Sequence, residues 1–373
     1  MKKGTFIIGI LFLILLLSGQ EIQEEAIVIN VEVPVRVFTK GKFVEELNLE
    51  DFEVYENGVL QKVEAMYLIK KTVIDREETE LDKKSARRIY LPEVSRTFVL
   101  VFEMMDYFPA IKETLEYFFE HVFLTDDSLY LVTPKKTYPF KKEVLDKTPR
   151  DVIVSQLKER LQNDITSASR EYKSMIRDLR WMKSERVPGA IRKILLQQIR
   201  DFRHLDEKEL MKFKEQLEDI KGQKYVFLFY QKQVLLDDTS SIDARKERLF
   251  LDFEKIKKSF ADSSICMNFV FLTKTNLFQA DVDSLNPSGT VMRDISSEMF
   301  GAFYEMAKAT GGTMDSSANI TSSFQRVAIA SENYYLLYYT PKNYKADGKF
   351  RNIKVKVKGK DYRVTHRAGY IAD

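Results

Sequence analysis

The chain has 373 residues, 44% of them hydrophobic, and a formal net charge of +3, enough apolar material for one or two unaided cores. The charge falls to +1 without Lys2 and Lys3, which removes any whole-chain electrostatic case for nucleic acid as a partner. Cys266 is the only cysteine, so no intramolecular disulfide can form.

Lys2 and Lys3 precede an apolar run from Phe6 to Leu17, then Ser18, Gly19 and Gln20, the three-part layout of a secretory signal peptide over residues 1–20. The run is shorter than the roughly 18 to 20 residues of a spanning helix. The expectation is an exported chain, periplasmic or extracellular, with no membrane span after cleavage. Ile27 to Val37 then alternates, with Val31, Val33, Val35 and Val37 on one face. This predicts a half-buried strand, and Pro34 places it at an edge. Phe52 to Glu56 runs into Asn57-Gly58 and out through Val59 to Val63, a strong hairpin signal. Residues 27–69 thus read as a small N-terminal β module, and the charged stretch 70–95 as a solvated linker.

From Arg96 to residue 340 the pattern becomes buried apolar strands alternating with helices, which predicts an α/β domain with a doubly wound, mainly parallel sheet. Its candidate strands are Thr97–Phe102, Leu129–Thr133, Tyr225–Tyr230, Ile265–Leu272 and Tyr334–Tyr339. Residues 151–221 interrupt the rhythm as a charged helical insert, divided at Pro188-Gly189. Tyr172, Met175, Leu179 and Met182 form one narrow apolar seam, and Leu210, Phe213, Leu217 and Ile220 another. Residues 341–373 return to strands, with Ile353, Val355 and Val357 alternating with lysines. The N-terminal module has too few strands to stand alone, so these C-terminal strands are expected to complete it as a small β-sandwich-like unit.

Three stretches carry a resemblance. Leu49-Glu-Asp-Phe-Glu-Val-Tyr-Glu-Asn-Gly-Val-Leu-Gln-Lys-Val, Met306-Ala-Lys-Ala-Thr-Gly-Gly-Thr, and Tyr334-Tyr-Leu-Leu-Tyr-Tyr-Thr-Pro continuing to Arg367-Ala-Gly-Tyr together resemble a bacterial family of secreted von Willebrand factor A-related proteins. The resemblance implies a Rossmann-like sheet with any site at the carboxyl ends of its strands. Metal-binding members of that superfamily end the first strand in Asp-x-Ser-x-Ser, whose hard oxygens suit a divalent cation. The matching positions here are Glu103, Met105 and Tyr107. Only Glu103 offers a carboxylate, and a thioether is a poor ligand for a hard ion. Asp106 could supply a ligand only by a register shift, and the later strand continues into Gln231-Lys232-Gln233 without an acid. The resemblance therefore implies a degenerate metal site, with Met105, Tyr107 and Phe108 offering an apolar contact surface in place of an ion.

Nothing else in the sequence builds a catalytic constellation. His121, His204 and His366 fall on unrelated elements, and Cys266 lies inside an apolar strand. Asp237 with Asp238 and Asp281 with Asp283 read as turn or cap residues. No cofactor is implied. The sequence reading is an exported, non-catalytic protein that makes contacts with an unidentified protein partner in a bacterial cell envelope, with the helical insert as the alternative seat of a scaffold role.

Overall fold

Alternating valines produce strand β1 (Val31–Thr39), whose Val31, Val33, Val35 and Val37 are all buried. The structure is a computed structural model that describes residues 29–79, 92–203, 207–218, 220, 222–231, 234–238, 252–262, 264–273, 290–294, 296–359 and 361–373. The expected signal segment, part of the charged linker, His204, Lys232, Gln233, Asp281 and Asp283 lie outside the described residues. After β1 come β2 (Lys42–Phe43), β3 (Phe52–Glu56), β4 (Val59–Gln61), β5 (Val63–Lys70) and β6 (Val73–Thr79). Asn57 and Gly58 join β3 to β4 with positive φ angles of 47° and 84°, the mirror-image turn that matches strand twist.

The middle of the chain contains β7 (Arg96–Glu103), α1 (Ala110–Tyr117), β8 (Ser128–Val132), β9 (Thr137–Phe140), α2 (Lys142–Lys147), α3 (Arg150–Ser184), α4 (Gly189–Arg203) and α5 (Glu207–Glu218). It continues through β10 (Gln223–Gln231), β11 (Val234–Asp238), α6 (Phe253–Asp262), β12 (Ile265–Leu272), β13 (Thr290–Asp294), α7 (Ser296–Ala309), β14 (Met314–Ser317) and α8 (Ile320–Ala328). The chain closes with β15 (Asn333–Tyr339), β16 (Phe350–Val357), β17 (Arg363–His366) and β18 (Gly369–Ile371).

These strands form a six-stranded sheet β17-β1-β15-β5-β6 with β2 on β1, a second six-stranded sheet β14-β12-β10-β7-β8-β9, a four-stranded sheet β18-β16-β3-β4 and the pair β11-β13. The first is antiparallel throughout and curls into a half-barrel. The second is mixed: β9 runs back antiparallel along β8, while the remaining neighbours are parallel.

The expected fold class, a doubly wound and mainly parallel sheet with a small β module, is overturned by this topology. The decisive element is β15. Its apolar run reads as a parallel strand because both faces are buried, yet it lies between β1 and β5 in the antiparallel half-barrel. Tyr335, Leu337 and Tyr339 face one core and Tyr334, Leu336 and Tyr338 another, so burial on both faces does not distinguish a parallel strand from the centre of a covered antiparallel sheet. Two smaller expectations change with it. β1 is not an edge strand: Pro34 is accommodated because β17 pairs only with Val35–Phe38, leaving its stretch of β1 unpaired on that side. Residues 73–79 are not linker but β6, whose charges suit an outer strand.

The C-terminal strands pair with N-terminal ones: β16 with β3 and β17 with β1. The half-barrel and the four-stranded sheet close on one core containing Val33, Val54, Tyr335, Leu337, Ile353 and Val355. Buried Glu56 ties them further, accepting from the hydroxyls of Tyr339 at 2.8 Å and Tyr370 at 3.0 Å. Burial first, and then the carboxylate, push both phenols above their usual range.

On the mixed sheet, Phe98, Leu100 and Phe102 face one core with helices α1, α8 and the first half of α3, while Val99 and Val101 face α5, α6 and α7. The helical stretch 151–221 is therefore not uniform. Ile153, Leu157, Leu161 and Ile165 belong to the core of the sheet, whereas Ala168, Tyr172, Ile176 and Leu179 form a separate cluster with Leu195, Leu196 and Ile199 of α4.

Candidate functional site

Strand β7 positions the sequence-predicted residues. It lies between β10 and β8, with Glu103 level with Tyr230. Glu103 is half-buried where the strand ends, and the chain then turns through Met104, which enters the main core, and Met105, which does not. Met105 is buried in the cluster formed by the second half of α3 and by α4. The thioether is thus an apolar plug beneath the helices, and the proposed contact surface loses one of its members to packing.

Gln231 decides what the loop can do. It closes β10, is 1% exposed, and its Oε1 accepts from the backbone N–H of Met105 at 2.9 Å and of Asp106 at 3.0 Å. Its Nε2 donates to Asp106 Oδ2 at 2.6 Å. One neutral amide therefore engages the loop backbone and the loop carboxylate together. A divalent ion needs several oxygens converging with free lone pairs. Here the carbonyl oxygen of Gln231 is engaged by two donors, and an NH2 group faces the Asp106 carboxylate. The arrangement is a loop tie and not a cation cradle.

Tyr107 and Phe108 pack against the main core and are half-buried. The Tyr107 hydroxyl is enclosed without a hydrogen-bond partner among the described residues, and burial raises its pKa. Of the five predicted residues, the structure joins Asp106 to the backbone of Met105 through Gln231, seats Met105 under the helices, and leaves Tyr107 and Phe108 on a half-covered rim.

The start of the same strand is built from charge. Arg96 is 2% exposed and grips Asp127 with two bonds, Nε to Oδ1 at 2.9 Å and Nη2 to Oδ2 at 2.6 Å. It also donates to the carbonyls of Ser331 and Val122, and Asp127 accepts from the Leu124 N–H at 2.7 Å. Bidentate geometry with the remaining donors satisfied is what a buried ion pair requires. Nearby, Arg36 of β1 donates to the carbonyls of Ala330 and Gly311, and its guanidinium lies 5.5 Å from the ring centre of Tyr334 and 5.9 Å from that of Tyr225. Sequence reading missed the roles of Arg96, Asp127 and Arg36, because the partners are distant in sequence and no spacing motif joins them.

The remaining candidates stay apart. Burial pushes the Cys266 thiol up despite the nearby Arg36, which is the opposite of nucleophile activation. A cleft beside it, lined by Glu32, Arg36, Thr310 and Arg367 among others, has about 20 Å³ of space, room for a water and not for a substrate. His121 is exposed, while half-buried His366 accepts at Nε2 from the Val355 N–H at 3.2 Å and bonds the Arg367 carbonyl through Nδ1 at 2.7 Å. Asp237 and Asp238 lie on β11, paired with β13. Among the described residues no group of three or more His, Cys, Asp or Glu is arranged to hold a metal, and no helix is long and apolar enough to cross a membrane. Comparison of the chain with family models, with curated proteins and with solved structures returned no match.

Proposed function

We propose that the protein is a non-catalytic contact protein of a bacterial cell envelope, exported by its leader-like N-terminus, and that it holds its envelope partner through the hairpin formed by the second half of α3 and by α4. The observation that carries this reading is a contrast in exposure. The strand-end loop is tied by Gln231 and covered by the hairpin, whereas the hairpin itself presents Trp181, Ile191 and Ile194 to solvent at 60%, 49% and 63% exposure. Several large apolar side chains left outside the core of one short hairpin suit a contact surface. Among the described residues, the separation of His121 from His366 and the burial of the Cys266 thiol support the non-catalytic part.

A photo-reactive residue placed at Ile194, at Tyr107 or at exposed Lys349 in the full chain tests the assignment in the native envelope. Adducts from position 194 and not from 349 are expected. Adducts from 107 alone would return the contact to the strand-end rim and overturn the reading.

A further inference from the structure

We infer that the tip of the α3–α4 hairpin docks on an anionic lipid surface; this rests on the hairpin being the contact region and names what it contacts. Trp181 lies three residues before the end of α3, and Ile191 and Ile194 lie two and five residues into α4. At about 1.5 Å of rise per residue, all three sit within roughly 8 Å of the connecting turn along their helices. Trp181 is on the opposite side of α3 from its buried stripe of Tyr172, Ile176 and Leu179, so it projects outward and not into the packing with α4.

Charge is concentrated at the same place. Residues 170–193 contain eight Lys or Arg against three Asp or Glu, although the whole chain is close to neutral. Lys173, Arg177, Arg186 and Lys193 are all exposed. Arg177 is one helical turn before Trp181, and Lys193 adjoins Ile194. Separate apolar projections, each flanked by a long basic side chain, fit the headgroup layer, where Trp sits at the interface and Lys or Arg stems lie along apolar surface with their charges at phosphate. A polypeptide partner would be better served by a contiguous apolar core ringed by polar residues. The hairpin is far too polar to span, and among the described residues no helix qualifies to do so, so the association is with the surface.

Trp181 is the only tryptophan, which makes the docking site its own reporter. The full chain is titrated with vesicles of phosphatidylcholine containing phosphatidylglycerol, with vesicles of phosphatidylcholine alone, and with poly-glutamate. The expected result is a blue shift of Trp181 emission and protection from acrylamide with the anionic vesicles only, weakened by salt. The double substitution Arg177→Glu and Lys193→Glu should weaken partitioning by at least about tenfold with an unchanged circular dichroism melt. No Trp181 response, an equal response to neutral vesicles, or an equal response to poly-glutamate would overturn the inference, the last by transferring the site to acidic polypeptides. Protein adducts from position 194 together with a silent Trp181 would leave the contact assignment standing and remove the lipid.

Discussion

The two ends of β7 solve the same structural problem with opposite chemistry. At its start a buried cation and a buried anion lock several chain segments together: Arg96 and Asp127 with the backbone of Val122, Leu124 and Ser331. At its end a neutral amide, Gln231, ties a loop containing a single carboxylate. The end to which the family resemblance assigns a ligand site therefore has the less polar tie, and the end with the strongest charges is a structural lock. Ionisable groups alone therefore do not mark a site on this strand, because at both ends they are already engaged within the fold.

The largest expected effect falls on the lock. Arg96→Ala leaves Asp127 buried without its partner and should cost about 3–5 kcal/mol, read as a lower midpoint in urea denaturation. A loss below about 1 kcal/mol would mean that water already reaches Asp127 and would erase the contrast between the ends. Gln231→Ala comes next, at about 1–3 kcal/mol for two orphaned N–H groups and a stripped carboxylate. Hydrogen exchange at the Met105 and Asp106 amides should accelerate, with the amides of β7 itself unchanged; unaltered exchange would show that Gln231 is not the tie.

A pH effect follows from His366. Burial depresses its folded pKa below the ordinary histidine value of about 6.5, and its two hydrogen bonds fit one neutral tautomer. The unfolded chain then binds the proton first, so this contribution is complete above about pH 6.5 and is lost as pH falls toward the folded pKa. His366→Asn should flatten the decline in thermal midpoint below pH 6.5 relative to the unaltered protein; an identical decline would place the proton elsewhere. The smallest effect belongs to the hairpin tip. Trp181→Ala or Ile194→Ala should change stability by under about 0.5 kcal/mol while abolishing contact through that face, and a larger cost would mean that these side chains pack and do not dock.

How far the sequence could be read varied with the range of the interactions involved. The alternation of Val31 to Val37 and the Asn57-Gly58 turn are local, and both appear in β1 and at the β3–β4 connection. The apolar runs at Phe98–Phe102 and Ile265–Leu272 are strands of the mixed sheet. Tyr334–Tyr339 was misread because its pattern encodes burial on two faces and not the direction of its neighbours, which β1 and β5 supply from some 300 and 270 residues away. Pro34 was misread as an edge marker because a strand can be internal overall yet unpaired locally. At the candidate site, the scarcity of hard-oxygen ligands across Glu103, Met105 and Tyr107 was legible from residue type alone. The role of Gln231 was not, since only the parallel register of β7 and β10 brings position 231 to the loop.

The most direct test of the strand-end account is a calorimetric titration of the full chain, stripped with chelator, with Mg²⁺, Mn²⁺ and Ca²⁺. The account predicts no saturable heat at millimolar metal, because the amide of Gln231 already engages Asp106. Saturable one-site binding that disappears in Glu103→Ala or Asp106→Ala would contradict it, showing that the loop opens to form an ion site and that the contact surface belongs at the end of β7 after all.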